Sequence, residues 1–270
     1  MNKMLKIAAT VAALGLSAGA QADMVVDLFS TPQGAISDTT LSDGGIWAAE
    51  AGPAADIIGG YRDLYVEKLS DAIPGGTGAV TAVVQGGYFS FSTASSVTGR
   101  GIVRWDGLGT DTTAPTNANP SGAPQVAPGL GGKDLTAFTD FQLLTNFSDQ
   151  GFVFWLELYT DATNWSRVKL ISTSHPLNFP DGTASLIPLW GFLDCTNSIP
   201  TPFTTTCGGT GVDLSNVNAI QAIIDPLGGT VSVDLTLNQV TLIPEPTSLA
   251  LVGAGLFGAM GALRRRKAAK

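Results

Sequence analysis

Apolar residues along this chain alternate with polar ones at a period of two, in short runs broken by Gly, Pro, Asn and Asp. Arg62-Asp-Leu-Tyr-Val-Glu-Lys-Leu69 places Leu64, Val66 and Lys68 on one face and Asp63, Tyr65, Glu67 and Leu69 on the other. Tyr88-Phe-Ser-Phe-Ser92 alternates in the same way, with Phe89 and Phe91 sharing a face. The two residues before it, Gly86-Gly87, are a hairpin signal, because a two-residue β-turn needs positive φ. The same reading predicts strands over 24–29, 62–69, 80–85, 88–93, 101–105, 135–144, 152–159, 165–172, 184–189, 219–225 and 231–242, eleven in all. Residues 30–60 read as irregular. No run of helical period exceeds ten residues between the two ends of the chain. Parallel strands need crossover helices and none is visible, so antiparallel pairing is expected. Many short strands between turn signals predict an all-β, antiparallel β-sandwich over 23–243. Residues 106–133 are rich in breakers and read as one long excursion within a single domain; a linker between two domains is the alternative.

The two ends follow a different pattern. Residues 1–22 have a basic start (Lys3, Lys6), an apolar stretch (Ile7 to Leu16) and the small-residue site Ala20-Gln21-Ala22. This is the layout of a secretory signal peptide cut after Ala22, and it implies the Sec translocation machinery as a partner. At the other end, Pro244-Glu245-Pro246 interrupts any regular element, and Thr247 to Leu263 is free of charge. Arg264, Arg265, Arg266 and Lys267 follow. Seventeen apolar residues before a cationic cluster predict a membrane helix whose basic end stays in the cytoplasm.

Only 13% of the 270 residues are charged, and the net charge is −8. Seven of the 14 basic residues lie in the two ends, so residues 23–243 hold 21 acidic and seven basic residues, a net −14. Such a body repels nucleic acid and anionic lipid, which excludes the nucleic-acid-binding classes. Its two cysteines, Cys195 and Cys207, bracket a Pro/Thr-rich loop. In an exported chain they are expected to form a structural disulfide, worth on the order of 3 kcal/mol for a loop of about 13 residues.

Catalytic material is scarce. His175 is the only histidine, so a Ser-His-Asp triad would have to use it, and no G-x-S-x-G elbow exists. Zinc motifs lack a second His. Glu157, in Phe152-Val-Phe-Trp-Leu-Glu-Leu-Tyr159, shares a face with Val153 and Trp155. It reads as a raised-pKa acid, as the partner of an arginine, or as a residue at a sheet rim. Trp155 reads as a core residue. A flat ring can cover the apolar face of a sugar. In Asp161-Ala-Thr-Asn-Trp165-Ser-Arg167, a tryptophan beside a turn has Asp161, Asn164 and Arg167 close by. These four form the candidate sugar-binding patch; the alternative is a Trp165 that points inward and only starts the next strand.

Two resemblances add to this reading. Pro244-Glu245-Pro246, then an apolar Gly/Ala/Leu segment, then Arg264-Arg265-Arg266 resembles the PEP-CTERM sorting signal of Gram-negative bacteria, over residues 244–270. That resemblance implies an exosortase as partner, an inner-membrane intermediate, and delivery to the cell surface or extracellular matrix. The run 213–242, with Tyr88-Phe-Ser-Phe-Ser92, resembles the last strands of galactose-binding-like jelly rolls found in carbohydrate-binding modules. This implies a jelly-roll-like sandwich and a non-catalytic module associated with exopolysaccharide. A structural or adhesive matrix protein is the first alternative and a polysaccharide hydrolase the second. Such modules often carry a structural calcium near the chain ends. Asp27 in the first strand and Asp234 in the last would be neighbours if those strands pair, and are its expected ligands.

Overall fold

The computed structural model describes residues 22–41, 43–109, 122, 126, 129–175, 182–199 and 201–245. The expected signal peptide other than Ala22, the apolar segment 247–263, Pro246, and Arg264, Arg265 and Arg266 lie outside the described residues. Residues 24–243 form one compact unit.

Fourteen strands are described: β1 (Met24–Asp27), β2 (Gln33–Asp38), β3 (Ile46–Ala51), β4 (Tyr61–Asp71), β5 (Val80–Gln85), β6 (Tyr88–Thr93), β7 (Val97–Trp105), β8 (Phe138–Ser148), β9 (Val153–Tyr159), β10 (Trp165–Ile171), β11 (Thr183–Pro188), β12 (Thr204–Gly208), β13 (Ala219–Ile224) and β14 (Asp234–Pro244). They build two seven-stranded sheets. Sheet A runs β11-β8-β14-β6-β5-β2, with β1 also on β14; sheet B runs β12-β10-β9-β13-β7-β4-β3. The fold is an antiparallel β-sandwich, and among the described residues its only helical pieces are short 3-10 turns at Ile58–Gly60 and Leu189–Leu193.

The core lies between the sheets. Phe89 and Phe91 of β6, Leu235 and Leu237 of β14, Leu64 and Val66 of β4, Val103 and Trp105 of β7, and Leu156 and Leu158 of β9 all point into it and are buried. The hairpin between β5 and β6 turns at Gly86 and Gly87, with φ of 63° and 82°, a pair of positive values that β-carbon sterics deny to most residues. Gly101 of β7 gives room to the Phe91 ring: a β-carbon there would sit 2.7 Å from it.

Three strands were not expected: β2, β3 and β12. Their sequences, QGAISD, IWAAEA and TTTCG, carry no apolar alternation. β2 buries Gln33 and Asp38 beside Ile36, while β3 and β12 are edge strands with one free flank. Two strands also start later than expected. Ser232, at φ 58°, breaks the extended run ahead of β14, and Leu135 is tied by its N–H to Leu214 O before β8 begins.

The excursion after β7 leaves at Asp106–Gly109 and returns at Gly129–Lys133. Its ends meet, since a β-carbon on Gly107 would lie 2.8 Å from Gly129 O. The returning end is pinned by Leu130 N–H to Asn218 O and by a bridge between Lys133 and Val217. Cys195 and Cys207 are joined in a disulfide.

Candidate functional site

Side chains on the outer face of sheet B fall into rows because the strands are in register. One row crosses Thr206, Arg167, Glu157, Gln221, Arg104 and Asp63 on β12, β10, β9, β13, β7 and β4. The neighbouring row crosses Lys169, Trp155, Ile223, Ile102, Tyr65 and Trp47. The first is polar and charge-balanced. The second is aromatic and apolar: Tyr65, Ile102, Trp155 and Ile223 form a buried cluster separate from the main core, with Trp47 and Val153 packed on it. Trp155 is buried, as expected of a core residue, but in this second cluster rather than between the sheets.

The polar row is a chain of hydrogen bonds. Arg104 Nε donates to Gln221 Oε1 at 2.5 Å, Gln221 Nε2 donates to Glu157 Oε2 at 2.9 Å, and Tyr159 OH donates to the same oxygen at 2.7 Å. Arg167 Nε donates to Glu157 Oε1 and forms a salt bridge with it. Glu157 is fully buried, and both its oxygens are occupied. Burial, with the negative charge of Glu157 beside it, pushes the Tyr159 phenol far above its ordinary value. Glu67 repeats the arrangement on β4: the cross-strand Arg100 pairs with it at 2.5 Å and Tyr65 OH donates to it at 2.7 Å. Of the readings of Glu157, the geometry places it as an arginine's partner.

Rings clasp the two arginines of the row. The Arg167 guanidinium lies 3.9 Å from the Trp155 ring centre and 5.2 Å from that of Trp165. Arg104 lies 4.6 Å from the Trp47 ring centre. Each contact is worth about 0.5–2 kcal/mol, more where water is excluded. Trp165 is half-buried and packs at 6.2 Å on Tyr159. The indole N–H groups of Trp47 and Trp155 are buried without a hydrogen-bond partner among the described residues.

The four residues named for sugar contact divide between two tasks. Trp165 and Arg167 lie on the sheet B face just described. Asp161 and Asn164 hold the β9–β10 turn: Asp161 accepts from the N–H groups of Thr163 and Asn164 and from Asn164 Nδ2, all at 2.8 Å. These bonds hold the Asp161 carboxyl below its ordinary range. Asn164 Oδ1 in turn accepts from Thr210 N–H and hydroxyl, tying the hairpin to the loop after β12. Sequence reasoning did not reach Gln221 and Arg104. Only the i,i+2 pairs Tyr65/Glu67 and Glu157/Tyr159 were visible locally.

The expected calcium pair is not brought together. β1 does pair with β14, yet Asp27 falls opposite Val240. Asp234 is six residues back along the strand, opposite Ser92, roughly 20 Å away at the usual rise. Asp27 is buried against Arg62 and Trp105, and Asp234 lies beside Asp149. No group of three metal-ligating side chains occurs among the described residues. His175 sits at an isolated bridge to Ser148, its Nδ1 against Thr173 O.

Residues 242–267 match the PEP-CTERM protein-sorting motif, so the chain carries the signal of an exported protein processed at the membrane. The match begins inside β14, the strand at the centre of sheet A. No curated protein matches the sequence. Among solved structures, an agarase is similar at 13% identity and TM-score 0.42, over 84% of this chain and 25% of that one. The chain thus spans about a quarter of the length of that enzyme. A family 11 carbohydrate-binding module of a Clostridium thermocellum cellulase is similar at 12% identity and TM-score 0.39, over 84% and 96%. The same family's module in complex with a β-1,3-1,4-mixed-linked tetrasaccharide is similar at 10% identity and TM-score 0.33, over 73% and 88%.

Proposed function

We propose that this chain is an exported, exosortase-sorted surface protein whose sandwich binds a neutral polysaccharide without cleaving it. The observation that carries the reading is the Trp155–Arg167–Trp165 stack at the rim of sheet B, with Trp165 partly open. A ring offers its face to the apolar side of a sugar, and a guanidinium held in place offers N–H donors to hydroxyls. The acidic body disfavours anionic ligands. Exopolysaccharide at the surface of a Gram-negative cell is the partner this reading implies, with exosortase and the Sec machinery as the export partners.

The test is affinity electrophoresis of residues 23–243 in gels holding neutral polysaccharides, among them agarose and a β-1,3-1,4-mixed-linked glucan. Retardation by at least one polymer, lost in Trp165→Ala and in Arg167→Ala, is expected. Absence of retardation across the panel returns the protein to a purely structural or adhesive role. Polymer shortening that disappears in Glu157→Gln would make it a hydrolase.

A further inference from the structure

β14 ends at Pro244, and Glu245 and Pro246 alone separate it from the charge-free run that starts at Thr247. Three residues reach at most about 10 Å. If 247–263 enters a bilayer, the end of sheet A from which the chain exits must lie almost on the lipid. The Thr139 hydroxyl donates to Ile243 O at that end, and Pro188 of β11 falls opposite Asp140 of β8. Immediately after Pro188 the chain makes the 3-10 turn Leu189–Leu193.

This turn opens a loop that presents three apolar side chains to solvent. Trp190 is 43% exposed, Leu193 56% and Ile199 50%. Trp190 is the most exposed of the described tryptophans and packs on Phe203 at 5.7 Å. Between Leu189 and Phe203 the only charged residue is Asp194. Its carboxylate is used within the loop, accepting from Ser198 N–H, Ile199 N–H and the Thr196 and Ser198 hydroxyls. The Cys195–Cys207 disulfide fastens the loop to β12. An exposed loop led by tryptophan, its one carboxylate engaged by hydrogen bonds within the loop, has the chemistry of the membrane–water interface, where an indole keeps its ring in the acyl boundary and its N–H in water.

We infer that the Trp190–Leu193–Ile199 loop seats the folded sandwich on the lipid bilayer while the sorting segment is still attached. The inference rests on the reading of 247–263 as a membrane segment, and not on the polysaccharide face. Seated this way, the sandwich holds Pro244-Glu245-Pro246 at the membrane surface, where a membrane-embedded processing enzyme works. Once the tail is cut, one tryptophan and two aliphatic side chains are too little to retain so acidic a body, and the protein leaves.

Residues 23–270 are reconstituted into neutral phosphatidylcholine vesicles with plain or brominated acyl chains, which quench nearby indoles. The expected result is partial quenching of tryptophan fluorescence by the brominated lipid, lost in Trp190→Phe, while residues 23–243 neither bind the vesicles nor are quenched. Leu193→Ser, which leaves the Trp190–Phe203 contact in place, is expected to reduce the quenching. Equal quenching in wild type and Trp190→Phe overturns the seat but leaves the membrane segment standing. Failure of 23–270 to associate with vesicles overturns both. Lipid-free dimerisation of 23–243 that Trp190→Phe abolishes assigns the loop to a second copy instead, and also overturns the seat.

Discussion

Arg62→Met tests the energetics of this fold most sharply. Arg62 and Asp27 are both fully buried, with Nη1 at 3.1 Å from both carboxylate oxygens. Arg62 also donates to Gln33 Oε1 and Thr31 O at 2.8 Å, and Trp105 Nε1 and Phe29 N–H donate to Asp27 at 2.8 Å. The pair joins β1 to β4, and so sheet A to sheet B. Desolvation is the largest influence on Asp27 and raises its pKa above 3.8, even though Arg62 and the hydrogen bonds pull it down. Methionine keeps most of the volume and removes the cation. Stranding one member of a buried pair costs about 3–5 kcal/mol at neutral pH. Without Arg62 the Asp27 pKa rises further. A carboxyl with a higher pKa when folded binds more protons in the native state, so its contribution to stability falls as pH rises from 3.8 to the folded pKa. The gap between wild type and variant is therefore widest above the folded pKa of Asp27 and narrows as pH falls through it and Asp27 takes up its proton. Urea unfolding of residues 23–243, followed by tryptophan fluorescence at several pH values, measures it. Adding Asp27→Asn is expected to remove most of the pH dependence of the gap. A gap under about 1 kcal/mol, the scale of an exposed pair, or one that is constant with pH, refutes the reasoning.

Other outcomes follow from the same geometry. Cys195→Ser with Cys207→Ser is expected to lose on the order of 3 kcal/mol, read as a lower urea midpoint. It should also speed proteolysis between the two positions. Gly99→Ala would drive a β-carbon to 2.3 Å from a Val80 methyl carbon and 2.7 Å from Glu67 O, and is expected to cost about 1–3 kcal/mol or prevent folding. Hydrogen bonds from the loop hold the Asp194 carboxyl down to about 2, so what it contributes to loop order is present above 3.8 and is lost as pH falls through about 2. Amide exchange of Ser198 and Ile199, compared with Asp194→Asn at several pH values, reads that loss. Glu157→Gln should leave any polysaccharide binding intact within a few-fold, with modest destabilisation, because the Gln221 and Tyr159 contacts survive in altered form.

What the sequence showed depended on how local each signal was. Phe89/Phe91 and Leu64/Val66 declared their faces through period-two alternation, and Gly86-Gly87 declared its turn through backbone sterics. β2, β3 and β12 were invisible because an edge strand, or one filled by Gln33 and Asp38, needs no apolar alternation. Polar burial hid most of the rest. Arg62, Lys68, Arg100 and Arg104 look like surface residues until their partners, 35 positions away for Asp27 and 117 for Gln221, are placed beside them. The candidate site was half legible for the same reason. Trp165 and Arg167 share one hairpin, whereas the row from Arg167 to Asp63 exists only through the register of five strands. Register also undid the Asp27/Asp234 pairing: the strands do lie together, offset by six residues.

Backbone hydrogen exchange of residues 23–243, with and without a saturating neutral polysaccharide that retards the protein, tests the central claim most directly. The account predicts slowed exchange concentrated on β9, β10 and the turn at Asp161–Asn164. Protection confined to sheet A or to the Trp190 loop, or no protection by any polymer, would contradict it.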